Sequence, residues 1–90
     1  MRPKKKRRID FRPNVVYFKP RGVPLRILKE EEVNHDELEA LRLKYVKALD
    51  QVDCAKKMNI SQSTFQRILA GANKKVAQGL VKGKAIKINL

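Results

Sequence analysis

The chain has no tryptophan, a single cysteine, a single histidine, and only four glycines and four prolines in 90 residues. One cysteine, Cys54, excludes an internal disulfide and fits a reducing compartment, so a cytoplasmic location is expected. No apolar run approaches the roughly 18 residues of a membrane span. The basic N-terminus is not followed by the apolar stretch of a secretory signal. His35 has no second histidine or cysteine nearby, so no metal site is expected. No Ser–His–Asp set, functional acid pair or glycine-rich phosphate loop stands out. A domain this short has a thin core with little room for a catalytic pocket. The expectation is one domain, with no enzymatic activity, no cofactor and no membrane partner.

The most informative absence is of acid: none follows Asp53. Residues 1–29 hold 11 Lys/Arg against one acid, residues 30–60 five against eight, and residues 61–90 six against none. The net charge of +13 therefore sits at both ends and flanks an acidic middle. A polyanionic partner follows, either nucleic acid or an anionic membrane surface. The separation of charge suggests a binding face and a supporting face.

Apolar residues make up 42% of the chain, enough to fold. Residues 1–14 read as a basic flexible tail, because Lys4, Lys5, Lys6, Arg7 and Arg8 repel one another and have nothing to bury. Val15–Phe18 is a candidate strand. The prolines around Gly22 predict an irregular loop, and Glu30–Glu32 is expected to be solvated. Asn34 and Glu37 form a capping-box pattern for a helix starting near His35. Asp36, Glu37 and Glu39 early, with Arg42, Lys44 and Lys47 late, complement its dipole. Leu38, Leu41, Tyr45 and Leu49 give it one apolar stripe. A second helix starts after Asp50, with Val52, Ala55 and Met58 inward and Lys56 and Lys57 outward. Ser61 caps a third, whose apolar face is Phe65, Ile68, Leu69, Ala72, Val76 and Leu80. Gly71 and Gly79 weaken that helix by about 1 kcal/mol each relative to alanine, which predicts fraying or bending, and Gly83 ends it. Ala85–Leu90 alternates as a half-buried strand, able to pair with residues 15–18 or with a second chain.

The segment from Gln51 to Ile68 carries the function. Two short helices crossing steeply need a small residue at their approach, and Ala55 supplies it. The turn between them needs a left-handed residue four positions later, where Asn59 stands. Ile60 pins the turn, and Phe65 and Ile68 anchor the second helix from behind. A helix held this way presents its first turns to the major groove. Gln62, Ser63, Gln66 and Arg67 are then the base-reading candidates, with Asn73 further along, since arginine matches guanine and glutamine adenine. Ser61, Thr64, Lys74 and Lys75, with Lys4 to Arg8, are the candidates for the DNA backbone. The plainer alternative is a three-helix bundle with an ordinary polar face.

Several runs carry a resemblance: Arg7-Arg8-Ile9, Tyr17-Phe18-Lys19-Pro20-Arg21-Gly22-Val23-Pro24-Leu25 and Asp36-Glu37-Leu38-Glu39-Ala40-Leu41-Arg42-Leu43. It continues through Ser61–Phe65, Arg67–Leu69, Lys74–Ala77 and Gly83–Ala85. With them the chain resembles small prokaryotic predicted DNA-binding proteins known as domain of unknown function 134. The resemblance implies a helix-turn-helix similar to the promoter-reading domain of bacterial sigma factors. Relatives often carry cysteines where this chain has Lys6 and Asp10, so no metal or redox role is carried over.

The expected fold is mainly α: a helix-turn-helix domain over residues 15–90, its motif at about 50–80, with short strands near 15–18 and 85–89. The expected function is sequence-specific binding of double-stranded DNA in transcription regulation. The alternative is an RNA-binding or ribosome-associated protein. RNA polymerase, touched by Glu30–Glu32, Asp36, Glu37 and Glu39, and a homodimer formed through the C-terminal strand are further candidate partnerships. The basic block can lie in a minor groove or act as a solvated tail. Tyr17 and Phe18 can pack a core or stack on bases. Cys54 reads as a small buried hydrophobe.

Overall fold

In the computed structural model, which describes residues 8–90, the elements run Tyr17–Phe18 (β1), Glu30–Asn34 (β2), His35–Leu41 (α1), Gln51–Met58 (α2), Gln62–Lys82 (α3) and Ala85–Asn89 (β3). A 3₁₀ turn occupies Leu25–Ile27, and α1 runs into a wide helical turn over Arg42–Val46. The fold is mainly α with a small sheet.

The alternating C-terminal segment forms β3, the middle strand of that sheet. β1 pairs antiparallel on one side, with Tyr17 opposite Lys87 and Phe18 opposite Ile86. β2 pairs parallel on the other, from Glu30 opposite Ala85 to Asn34 opposite Asn89. β3 thus has a neighbour on each side within its own chain, so it does not offer the free edge that pairing with a second chain requires. Val33 and Ile88 are buried.

Glu30–Glu32 opens the strand β2, which was not expected, while Glu30 and Glu32 stay exposed as expected and Glu31 is half-buried. Three consecutive glutamates lack the β-branched and aromatic residues that mark strands. Partners elsewhere in the chain compensate. Lys84 Nζ donates to Glu31 at 2.8 Å, the Tyr17 hydroxyl to Glu30 at 2.6 Å, and Asn89 to Glu32 at 3.3 Å. The bond from Lys84 holds the Glu31 carboxyl below its ordinary pKa, and Glu30 pushes the Tyr17 hydroxyl above its own.

The helical core gathers Ala40, Leu43, Cys54, Ala55, Met58, Phe65 and Leu69. The apolar face of α1 is turned by one residue from the expected stripe. Ala40 and Leu43 are fully buried, whereas Tyr45 is 57% exposed. Of the expected stripe, Leu41 and Leu49 still pack against the core from its margin, while Leu38, Leu41 and Tyr45 line a surface groove with Phe11 and Val46. The wide turn contributes to this shift: its Lys47 N–H reaches back five residues to the Arg42 carbonyl at 2.9 Å. Two further expectations fail at helix ends. Val52 is largely exposed while Cys54 takes the inner place, and Leu80 is exposed while Gly79 faces the sheet.

Gly79 is not a weak point in α3. A Cβ built there would lie 2.8 Å from Ile86 Cγ1, so the missing side chain is what lets β3 pack against α3. Alanine would gain helix propensity of about 1 kcal/mol but would overpack by about 1–3 kcal/mol. Ala48 presents the opposite case. It joins the wide turn to α2 with φ +57°, a left-handed conformation that costs a residue with a Cβ roughly 1–2 kcal/mol. Glycine there relieves that strain and gives back roughly 0.5–1 kcal/mol in chain entropy. Gly79→Ala is therefore expected to lower the midpoint of urea unfolding, and Ala48→Gly to raise stability by roughly 0.5–1 kcal/mol. Fraying at Gly79 would give the reverse result for Gly79→Ala.

Candidate nucleic-acid interface

Asp50 caps α2, its Oδ1 accepting from the Asp53 N–H at 2.8 Å. The helix ends on Asn59 in the left-handed region at φ +57° and ψ +46°. The Asn59 N–H donates to the Lys56 carbonyl and the Ile60 N–H to that of Ala55, both at 3.1 Å. This paired closure satisfies carbonyls that a helix end otherwise leaves open, and it reverses the chain within a few residues. Ser61 starts α3, its Oγ accepting from the Thr64 N–H at 3.2 Å. Met58 and Phe65, on either side of the turn, are fully buried. The helix-turn-helix geometry expected from the sequence is formed.

The base-reading candidates come together. Gln62, Ser63, Gln66 and Arg67 are all exposed on the first two turns of α3, which bury Phe65 and Leu69. Positions three and four apart on a helix are surface neighbours, so the four form one polar patch. Lys74 and Asn73 extend it along α3, both exposed. The hydroxyls of Ser61 and Thr64 face one another at 2.8 Å, and Arg67 reaches Thr64 Oγ1 at 3.5 Å. An open hollow at the turn is lined by Lys56, Asn59, Ile60, Ser61 and Thr64.

Lys75 does not join this patch. It turns to the other side of α3, where its Nζ donates to Glu37 Oε1 at 2.7 Å. The same oxygen accepts the Asn34 N–H at 2.8 Å, so Glu37 ties the start of α1 to α3. Of the basic block, Lys4, Lys5, Lys6 and Arg7 lie outside the described residues. Arg8 is described, and its N–H donates to the Met58 carbonyl at 3.0 Å, attaching the chain to the end of α2. Its guanidinium meets Asp10 at 3.2 Å. The Asp10 N–H donates to Glu39 and the His35 ring donates to the Phe11 carbonyl. Residues 8–11 of the expected tail are thus bound to the helical body.

The acidic middle is largely engaged within the chain. Glu39 is 1% exposed and accepts from Arg42 at 2.6 and 3.0 Å as well as from Asp10. That pairing raises the Arg42 pKa, and the guanidinium also covers the Phe11 ring at 5.3 Å. Cys54 is buried and its thiol pKa is raised by desolvation, as a packing residue requires. Among the described residues no group of acids, histidines and cysteines could hold a metal ion, and no helix is long and apolar enough to cross a membrane.

Two side chains at the patch were not anticipated as part of it. Gln51, the first residue of α2, accepts a hydrogen bond from Gln66 at 2.8 Å. The Tyr45 hydroxyl accepts from Asn73 at 2.9 Å. Both belong to the segment preceding the turn, which crosses α3. The only sequence signal for Gln51 was its place directly after the cap.

The family model for the protein of unknown function DUF134 matches residues 1–89. The chain belongs to that family. This DUF134 chain is 55% identical over 87 residues to a UPF0251 protein of Desulforudis audaxviator, covering 97% of the chain and 57% of the relative. It is 48% identical over 86 residues to a UPF0251 protein of Halothermothrix orenii, covering 96% and 64%. A UPF0251 protein of Dehalococcoides mccartyi is 52% identical over 87 residues, covering 97% and 74%. The DUF134 chain thus spans about three-fifths of the length of the first two relatives. No solved structure matches it.

The two adjacent lysines of α3 are expected to separate cleanly. Lys75→Ala removes a partly buried, charge-assisted bond and is expected to cost about 1–2 kcal/mol in urea unfolding. Lys74→Ala, at an exposed site, is expected to stay within about 0.5 kcal/mol of the parent. Equal effects would place both lysines in the same environment and contradict the pairing with Glu37.

Proposed function

We propose that this chain binds double-stranded DNA with the first turns of α3 in the major groove and acts as a sequence-specific transcription regulator. The observation that carries the reading is the helix pair locked across Asn59. It leaves Gln62, Ser63, Gln66 and Arg67 exposed together on a helix that contains no acid. Arginine and glutamine at such a place match the donor and acceptor patterns of guanine and adenine edges. Binding, not catalysis, is the role this surface suits, and the reading implies a cytoplasmic protein.

Contacts to the DNA backbone fall to Arg8, Lys56 and Lys74, with the hydroxyls of Ser61 and Thr64 at the turn. Arg8 is fixed beside the turn by its bond to Met58. Such contacts supply affinity and salt dependence without choosing a sequence. A contact with RNA polymerase would have to use surface other than Glu31, Glu37 and Glu39, which already hold partners within the chain.

Selection from a random pool of DNA duplexes at moderate salt tests the reading. An enriched motif is expected, and two-fold symmetry in it would reveal a homodimer. Arg67→Ala is expected to relax preference at one position by about 1–3 kcal/mol, whereas neutralising Lys4–Lys6 is expected to flatten the salt dependence with the motif unchanged. The rival reading is RNA binding, and an α-helix does not fit the deep, narrow major groove of A-form RNA. A matched RNA duplex that outcompetes DNA would reverse the assignment.

A further inference from the structure

We propose that Gln51 is a positioning residue that aims the Gln66 amide at an adenine. The proposal rests on the DNA-reading function above and extends it to a residue outside the recognition helix. Gln66 stands on the second turn of α3, and its side chain is exposed. Gln51 opens α2, fifteen residues earlier. Gln66 Nε2 donates to Gln51 Oε1 at 2.8 Å.

This bond uses one of the two Nε2 hydrogens of Gln66. The second hydrogen and the Oε1 lone pairs remain. An adenine in the major groove presents an acceptor, N7, beside a donor, the N6 amino group. The groups left on Gln66 are the complement of that edge, one donor and one acceptor on one planar amide. Guanine offers two acceptors, N7 and O6, and would leave Gln66 Oε1 facing an acceptor. A free glutamine samples many rotamers and can turn its amide over, which blurs this distinction. Turning the Gln66 amide alone would set two oxygens against each other, so Gln66 can turn over only if Gln51 turns with it. Gln51 also keeps its own Nε2 hydrogens, which suit a phosphate oxygen beside the same base.

A second amide on α3 provides an internal control. Asn73 stands seven residues after Gln66, and its Nδ2 donates to the Tyr45 hydroxyl at 2.9 Å. Tyr45→Phe removes that bond and leaves Gln51 and Gln66 untouched.

The experiment is site selection from random DNA duplexes with the full chain and with Gln66→Ala, Gln51→Met, Gln51→Glu and Tyr45→Phe, each checked by thermal melting. Gln66→Ala is expected to lose an adenine preference at one position of the motif. Gln51→Met keeps the length but lacks the acceptor. It is expected to lose preference at that same position by about tenfold, with the rest of the motif retained. Gln51→Glu retains an acceptor for Gln66 and adds a negative charge. It is expected to keep the adenine preference while binding all duplexes more weakly at low salt. Tyr45→Phe is expected to leave that position unchanged. Retention of the adenine preference by Gln51→Met would overturn the inference and leave DNA reading intact. An equal loss at every position would do the same, reducing Gln51 to a backbone contact. A parent chain that enriches no motif would overturn both.

Discussion

The arrangement depends on how α2 and α3 are joined. Asn59 in the left-handed conformation turns the chain, and the bonds from Asn59 and Ile60 to the α2 carbonyls close that helix as it ends. The reversal brings Met58 and Phe65 into one buried cluster. Once those two side chains meet, α3 has no rotational freedom. Its apolar face is committed to the core, and the Gln62–Arg67 stripe must point out. Asparagine tolerates this conformation better than most residues with a Cβ, so the junction is affordable without glycine and less pliable than glycine would make it.

Acidic residues do the bracing around that junction. Glu37 links the β2–α1 boundary to Lys75 of α3, and Glu39 links Arg42 to the backbone at Asp10. A buried carboxylate is costly unless it is paired and hydrogen-bonded, and both of these are. The same bonds explain the charge pattern of the chain. The acids of the middle segment pair with cations inside the fold, while α3 itself keeps exposed cations and contains no acid. One lysine of the Lys74–Lys75 pair is spent on structure and its neighbour remains at the surface.

Much of this was legible in the sequence wherever a local rule governs. The caps at Asp50 and Ser61, the left-handed Asn59, the terminating Gly83 and the alternating strand at 85–89 each follow from one or two residues and their neighbours. What was hidden depends on contacts distant in sequence. Glu30–Glu32 shows no strand signal until β3, with Lys84, Tyr17 and Asn89, is brought to it. Gly79 reads as a helix weakness until Ile86 occupies the space its missing side chain leaves. The buried face of α1 lies one residue from the leucine stripe because Glu37 and Glu39, paired with Lys75 and Arg42, can go inward, which periodicity of apolar residues cannot reveal. Gln51 is visible as a partner of Gln66 only when α2 and α3 cross.

The central claim is that the first turns of α3 are the surface that meets DNA. Nuclear magnetic resonance of the isotope-labelled chain, titrated with a duplex, tests it directly. The account predicts that the largest shifts fall on Gln51, Gln62, Ser63, Gln66 and Arg67, with smaller ones at Arg8, Lys56 and Lys74. Shifts concentrated on the groove of Phe11, Leu38 and Tyr45, or on the sheet around Phe18 and Lys87, would contradict it.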